Sequence, residues 1–379
     1  MKIILAPDSF KGTFSSMEVI DILAQAAKRH LPNPKICKLP IADGGEGTVD
    51  ALVTAMGGEY RYADVTGPLG DTVRAKYGIL PGGAAVMEMA QASGIMLLGT
   101  EKLNPMRATT YGTGELLKTI LDEGITRIIV GIGGSATNDG GIGAAQALGV
   151  SFVDTDRNEA AFGGGSLSAI KEISLERIDK RIKDTDITVI CDVTNPLTGP
   201  NGATKVFGPQ KGATPEMLER LEAGMVHYAG LIKAVLKIDA DGIMGGGAAG
   251  GLGAALSCYF GAKMKPGIQT ILDTVGFDSM LTDTSLVVTG EGRLDGQTAF
   301  GKAPAGIAQR CKAKGVPVVA FAGCLADGFE AVYDCGISGV FSCVSRLMDQ
   351  NEMAKRAEKD LKDAADRLFR LIRIGMEIK

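Results

Sequence analysis

The sequence predicts an α/β protein of two domains, on three observations. Short apolar runs, often β-branched, alternate with helical patterns; a strand-only stretch interrupts that alternation; and glycine-rich loops carrying acids follow several of the runs. With 379 residues, the chain has room for roughly two to three domains. A hydrophobic share of 45% is enough to fill large cores.

Residues 2–6 form an apolar run that ends at Pro7 and Asp8, which suits a buried strand and is too short for the apolar core of an export signal. A helix follows over residues 15–30. Ser15 and Glu18 make a capping box, Ile20, Leu23, Ala24 and Ala27 share one face, and Pro32 stops it. Further runs at 35–39, 127–130, 187–191, 286–289 and 318–321 have the near-continuous apolar character of parallel strands buried on both faces. Residues 59–89 differ: three strand-like pieces are separated by turns at 67–71 and 81–83, an antiparallel meander. Such a break suggests a second domain, 67–276, inserted into a first one built from 1–66 and 277–379. Thr214 as N-cap and Pro215 at the first helical position open another helix, with Leu218, Leu221, Met225 and Ile232 on its apolar face. A final helix over about 352–375 carries a Leu361, Leu368, Ile372 stripe for packing on the core.

Several function classes are disfavoured. The 40 basic and 44 acidic residues are spread along the chain, net −4, without the basic run a nucleic-acid partner needs. Residues 242–262 are uncharged but rich in glycine and alanine, so they suit a loop feeding a helix and imply no membrane partner. The seven cysteines, Cys37, Cys191, Cys258, Cys311, Cys324, Cys335 and Cys343, lack CxxC pairs and metal-ligand spacing. They are expected as small core residues kept reduced in a cytoplasmic protein. The histidines, His30 and His227, fall on predicted helices and are expected at the surface, which leaves triad or zinc chemistry without support.

The 53 glycines are about twice the usual share. Many cluster at 42–48 (ADGGEGT), 131–141 (GIGGSATNDGG), 245–253 (GGGAAGGLG) and 289–302 (TGEGRLDGQTAFGK). Consecutive glycines let backbone N–H groups converge on an anion, so phosphate binding is the inference; tight turns are the plain alternative for any one cluster. Acids stand just past predicted strands: Asp8, Asp43, Asp192, and Glu291 with Asp295. In open α/β sheets that edge binds ligands, and phosphoryl transfer needs hard oxygen ligands for Mg2+, a base for the attacking hydroxyl, and cations for the phosphoryl group. Each acid alone would equally serve as a helix cap or turn former.

Two known motifs nearly match. GxxxxGK spans 296–302, but Ala303 stands where a P-loop needs Ser or Thr, and the predicted strand ends early, at 289. Gly131, Gly133 and Ala136, with Asp154 downstream, fit a dinucleotide fingerprint, although the loop continues through polar residues 137–141.

With these loops in hand, the sequence closely resembles the bacterial type I glycerate kinases. The resemblance rests on PDSFK at 7–11, ADGGEGT at 42–48, GTGEL at 112–116, GIGGSATNDGG at 131–141, CDVTNPL at 191–197, FGPQKGA at 207–213, GGGAAGG at 245–251 and TGEGRLD at 289–295, and covers nearly the full chain. It implies a flavodoxin-like doubly wound parallel sheet built from both chain ends, a second α/β domain inserted, and a site in the cleft. It also implies ATP-dependent phosphorylation of D-glycerate, to 2-phosphoglycerate in many relatives, with ATP and Mg2+ as cofactors. On that basis Asp192 is the candidate base, with Lys11 and Arg293 also catalytic. Asp8, Ser9, Lys11, Asn195 and Arg293 are expected at the substrate, with Arg293 able to clamp its carboxylate bidentately. Gly133, Gly134, Ser135, Asn138, Lys211, Gly246, Gly247 and Lys302 are expected at nucleotide phosphates, and Asp43, Glu291 and Asp295 at the metal. The rival readings are an NAD-dependent hydroxy-acid dehydrogenase and a non-catalytic hydroxy-acid or nucleotide sensor.

Overall fold

A computed structural model describes residues 1–10, 12–42, 44–299, 301–346, 348 and 350–378. In chain order the strands are β1 (Lys2–Pro7), β2 (Lys35–Lys38), β3 (Glu59–Thr66), β4 (Thr72–Leu80), β5 (Ala84–Glu88), β6 (Arg127–Gly131), β7 (Ser151–Asp154), β8 (Ile170–Ser174), β9 (Asp186–Ile190), β10 (Lys263–Lys265), β11 (Leu286–Leu294), β12 (Val318–Leu325) and β13 (Gly339–Ser342). The chain divides into two compact units. The first comprises Met1–Asp43, Asp50–Met56 and Gly267–Lys379; the second comprises Gly44–Val49 and Gly57–Pro266.

The first unit holds a parallel sheet in the order β13-β12-β11-β1-β2. Ile3, Ile4, Leu5 and Ala6 of β1 are fully buried, as a parallel strand covered on both faces requires. Ile3 and Leu5 join a core with Val19, Ile20 and Leu23 of helix Ser16–His30 and with Leu361, Leu368 and Phe369 of helix Gln350–Glu377. The expected capping box is present: the Glu18 amide donates to Ser15 Oγ at 3.3 Å, and the Ser15 amide donates to Glu18 Oε2 at 2.7 Å. The two helices are also joined where Arg29 and His30 both meet Asp366. His30 is therefore half-buried and paired, and His227 is half-buried with Nε2 2.6 Å from the Ile170 carbonyl; neither is the surface residue expected.

The strand expected over 286–289 extends to Leu294, because β11 keeps its ladder with β12 beyond the end of β1: Glu291 stands opposite Ala322 and Arg293 opposite Cys324. Glu291 and Arg293 thus lie within a strand rather than past one.

In the second unit the sheet order is β10-β9-β6-β5-β4-β3. β3, β4 and β5 form the antiparallel meander, and β5, β6, β9 and β10 run parallel. β3 pairs with β4 from Glu59↔Ile79 to Thr66↔Thr72. The expected boundary at 66–67 therefore cuts this sheet, and the units change instead at Gly57 and between Pro266 and Gly267. Thr214 caps helix Pro215–Leu236 by accepting the Met217 amide, and Leu221, Met225 and Ile232 are buried beneath it. Residues 242–262 are a loop feeding helix Leu252–Phe260. Among the described residues no helix is long and apolar enough to cross a membrane.

Ser15→Ala removes one half of the capping box and is expected to cost about 1 kcal/mol of stability, read as a lowered urea midpoint with an unchanged slope. An unaltered midpoint would mean that the helix end is held by its packing alone.

Candidate active site

In the first unit the connections of β1 and β11 leave in opposite directions, β1 leading to β2 on one side and β11 to β12 on the other. Such a reversal of strand order marks the strands' carboxyl ends as the edge where open α/β sheets bind ligands. Asp8 and Ser9 come directly after β1. The Asp8 amide donates to the Gly290 carbonyl at 2.8 Å, the Ser9 amide donates to Asp8 Oδ1 at 2.6 Å, and Asp8 is buried.

On the β11 side, Thr298 Oγ1 donates to Glu291 Oε1 at 2.6 Å and lies 3.5 Å from Asp295 Oδ1. Lys302 Nζ lies 3.5 Å from Asp295 Oδ1 and 3.9 Å from Glu291 Oε1. Burial would raise the Asp295 carboxyl, but Lys302 and the Gln297 and Thr298 bonds outweigh it and hold the group below its ordinary value. Arg293 Nε is 3.7 Å from Asp295 Oδ2, and its side chain is 66% exposed, which leaves the guanidinium accessible to a ligand. Two carboxylates thus surround one hydroxyl with an ammonium beside them, and among the described residues no group of three or more acidic, imidazole or thiol side chains stands together as a metal site. Lys11 and Asp43 lie outside the described residues.

The extent of β11 also bears on the near-match to a P-loop. The strand ends at Leu294 and helix Ala303–Ala313 begins just after Lys302, so 295–302 does connect a strand to a helix. Ala303 still lacks the metal-binding hydroxyl, and the Thr298 hydroxyl serves Glu291 instead.

In the second unit the glycine clusters have a different use from the one expected. The Gly247 amide donates to the Asn195 carbonyl at 3.0 Å, and the Gly246 amide donates to Ile243 at 2.9 Å; both residues are buried. Both amides are thus bonded to protein carbonyls. Gly250 has φ +69°, and a Cβ there would collide with the Thr137 carbonyl, while its own carbonyl accepts the Gly140 amide at 2.9 Å. Gly250 and Gly251 therefore let that loop pack directly on 137–141.

Lys211 and Asn138 are likewise bonded within the protein. Lys211 is 1% exposed and donates to the Thr137 carbonyl at 2.6 Å; Asn138 is fully buried and donates to Thr204 Oγ1 at 2.9 Å. Both hold the loop from within. Asp139, a residue the sequence reading did not single out, is the centre of this network. It accepts the Thr110 amide and hydroxyl, both at 2.8 Å, and the Gly141 amide at 3.0 Å. Burial raises its pKa and these bonds oppose the rise. Its sequence signal was an acid inside an otherwise uncharged glycine-rich motif. Ser135 is buried beside Gly94, Gly133 is half-buried, and Gly134 is exposed.

Asp192 follows β9 and is exposed. Asn195 donates Nδ2 to the Asn201 carbonyl at 2.8 Å, so its amide shapes the loop after Asp192 rather than reaching for a substrate. The dinucleotide fingerprint fails on geometry: Gly131 ends β6, but the next helix begins only at Ile142, and Asp154 accepts the Asp156 and Asn158 amides of its own turn.

The model of the glycerate kinase family matches residues 3–373. The chain belongs to the glycerate kinase family. It is 44% identical to glycerate 2-kinase of Escherichia coli K12, over 99% of both chains, and 45% identical to a glycerate kinase of Halalkalibacterium halodurans, over 96% of both. A crystal structure described as glycerate kinase 2, from Salmonella typhimurium LT2, superposes with a TM-score of 0.87 at 43% identity, covering 100% of this chain and 99% of that one. This chain is thus an enzyme, a kinase with mixed α/β architecture and mainly parallel sheets.

The kinase's buried ammonium gives a pH signature. Burial drives Lys211 down to about 7 against the opposing pull of Asp139, from an ordinary value of 10.5. Between those values the unfolded chain binds the extra proton, so stability rises as pH goes from about 7 towards 10.5 and is independent of this group below 7. Lys211→Met should flatten that rise in urea midpoints measured across the range. A wild-type profile already flat there would refute the assignment.

Proposed function

We propose that this kinase transfers the γ-phosphoryl group of magnesium ATP to D-glycerate, forming 2-phosphoglycerate. The observation that carries the proposal is the shared carboxyl edge of β1 and β11, to which Asp8, Ser9, Glu291, Arg293, Asp295 and Lys302 belong. The 2-position follows the name of the Escherichia coli relative. The first unit's strand order, β13-β12-β11-β1-β2, supports reading it as a flavodoxin-like sheet, and we assign the second unit as an α/β domain inserted into it. Free cysteines throughout fit a reducing, cytoplasmic setting.

In the reaction, the glycerate hydroxyl oxygen attacks the γ-phosphorus, the bond to the β–γ bridging oxygen breaks, and ADP leaves. Asp192 orients the hydroxyl and accepts its proton, which requires an ionised carboxylate within hydrogen-bond reach. Asn195 fixes the loop that carries it. Arg293 holds the glycerate carboxylate in a bidentate fork, with Ser9, Asp8 and Lys11 as further substrate contacts. Lys302 meets the phosphates of the nucleotide. Glu291 and Asp295, with Asp43, would hold magnesium, which when bound neutralises charge on the phosphates.

Incubation with D-glycerate and magnesium ATP should release ADP and give 2-phosphoglycerate, resolved from the 3-isomer by chromatography. NADH formation from NAD, or no turnover at all, would contradict the proposal. Asp192→Asn should lower kcat by about 10²- to 10⁴-fold, and near-normal turnover at saturating substrates would remove the residue from the base role. Arg293→Lys keeps the charge but loses the fork, so the KM for glycerate should rise on the order of tenfold while the KM for ATP stays near wild type.

A further inference from the structure

Glu88 ends β5, is 1% exposed, and stands opposite Gly131 in the parallel register with β6. Burying a carboxylate there is costly unless it is bonded. Its Oε1 accepts the Val49 amide at 2.7 Å, in the first turn of helix Thr48–Met56. Thr48, the first residue of that helix, turns its hydroxyl back to donate to the Gly45 carbonyl at 2.9 Å. A carboxylate from another element therefore supplies the acceptor that the helix N-terminus needs, and its charge suits the helix dipole.

The chain leading to Val49 is pressed onto the same strand ends. A Cβ on Gly131 would lie 2.7 Å from the Gly44 carbonyl oxygen, and one on Gly133 would lie 2.6 Å from Gly45 Cα, so both sites exclude a side chain to admit this segment. The Gly133 amide points to the Gly44 carbonyl at 3.4 Å, and Gly44 packs on Ile190 at the end of β9. Residues 44–49 thus lie across the carboxyl ends of β5, β6 and β9, with Glu46 exposed and Glu88 fastening the far end of the segment.

We propose that Glu88 is a positioning residue for phosphoryl transfer: by accepting the Val49 amide it locks the glycine-rich segment 44–49 into the one conformation that serves the ligand. This rests on the proposed kinase reaction, in which Asp43, next to this segment in sequence, would hold magnesium. Glu88 does its work through the loop and not by its charge on the reacting atoms, so glutamine, which keeps a carbonyl acceptor at the same place, should substitute for it.

Glu88→Ala and Glu88→Gln would be compared with wild type in steady-state turnover of D-glycerate and magnesium ATP, and in hydrogen exchange of the peptide containing Val49. Glu88→Ala should lower kcat by about 10- to 100-fold, more than it raises either KM, with faster exchange at Val49. Glu88→Gln should restore both readouts to within about threefold of wild type, as expected for a substitution that keeps the acceptor. Activity of Glu88→Ala close to wild type would overturn the proposal, as would a Glu88→Gln enzyme that is folded, protected at Val49 and as slow as the alanine variant. If Glu88→Ala fails to fold, the glutamine variant decides alone, by its turnover and its Val49 exchange. Wild-type protein without ADP release would instead sink the kinase reading, and the exchange comparison would still test the Glu88 contact.

Discussion

Pairing of β1 with β11 joins Ile3 to Leu286 and Pro7 to Gly290, across most of the chain length. Closing so long a loop costs only slightly more entropy than closing one of moderate length, because the penalty grows with the logarithm of length. The return is large. The contact completes a buried parallel sheet, lets helix Gln350–Glu377 pack beside helix Ser16–His30, and creates the reversal of strand order at the carboxyl ends of β1 and β11. In the second unit the parallel strands succeed one another as β5, β6, β9 and β10 without such a reversal. The topology argument for a ligand site therefore falls on the first unit.

A second constraint is the interior of the second unit, where Asp139, Lys211, Asn138 and Thr110 are buried together around loop 137–141. Buried charges are tolerated only when neutralised or bonded. Here backbone amides, hydroxyls and carbonyls supply the bonds, and the loop acquires a single conformation as a result. Polar residues and glycines that a sequence reader assigns to ligand contact are in this part of the chain the framework that holds the loops.

Elements set by local chemistry were legible in advance. The Ser15–Glu18 box, the Thr214-Pro215 helix start and the meander with its Gly-Pro turns each depend on residues a few positions apart. The extent of β11 was not legible, since Gly290 and Gly292 look like the end of a strand until β12 is present to continue the ladder. The same limit explains the reassignment of Gly246, Gly247 and Lys211, whose partners are distant in sequence: Asn195 lies fifty-odd residues from Gly247, and Thr137 lies 74 from Lys211. Glu88 was invisible for a related reason, because a lone acid after an apolar strand carries no mark of the helix it caps.

By itself the sequence determined the α/β class, the main helices with their caps, the acids Asp8 and Asp192 after β1 and β9, and the family, because those features are written in short-range patterns and in ordered motifs along nearly the whole chain. The tertiary structure decided which glycines serve packing, which lysine is sequestered, and which acids share a partner at one edge, as Glu291 and Asp295 do through Thr298. The physical reason is that burial and hydrogen-bond satisfaction are properties of neighbours brought together by folding. An amide already donating to a protein carbonyl and one available to a phosphate are identical as letters.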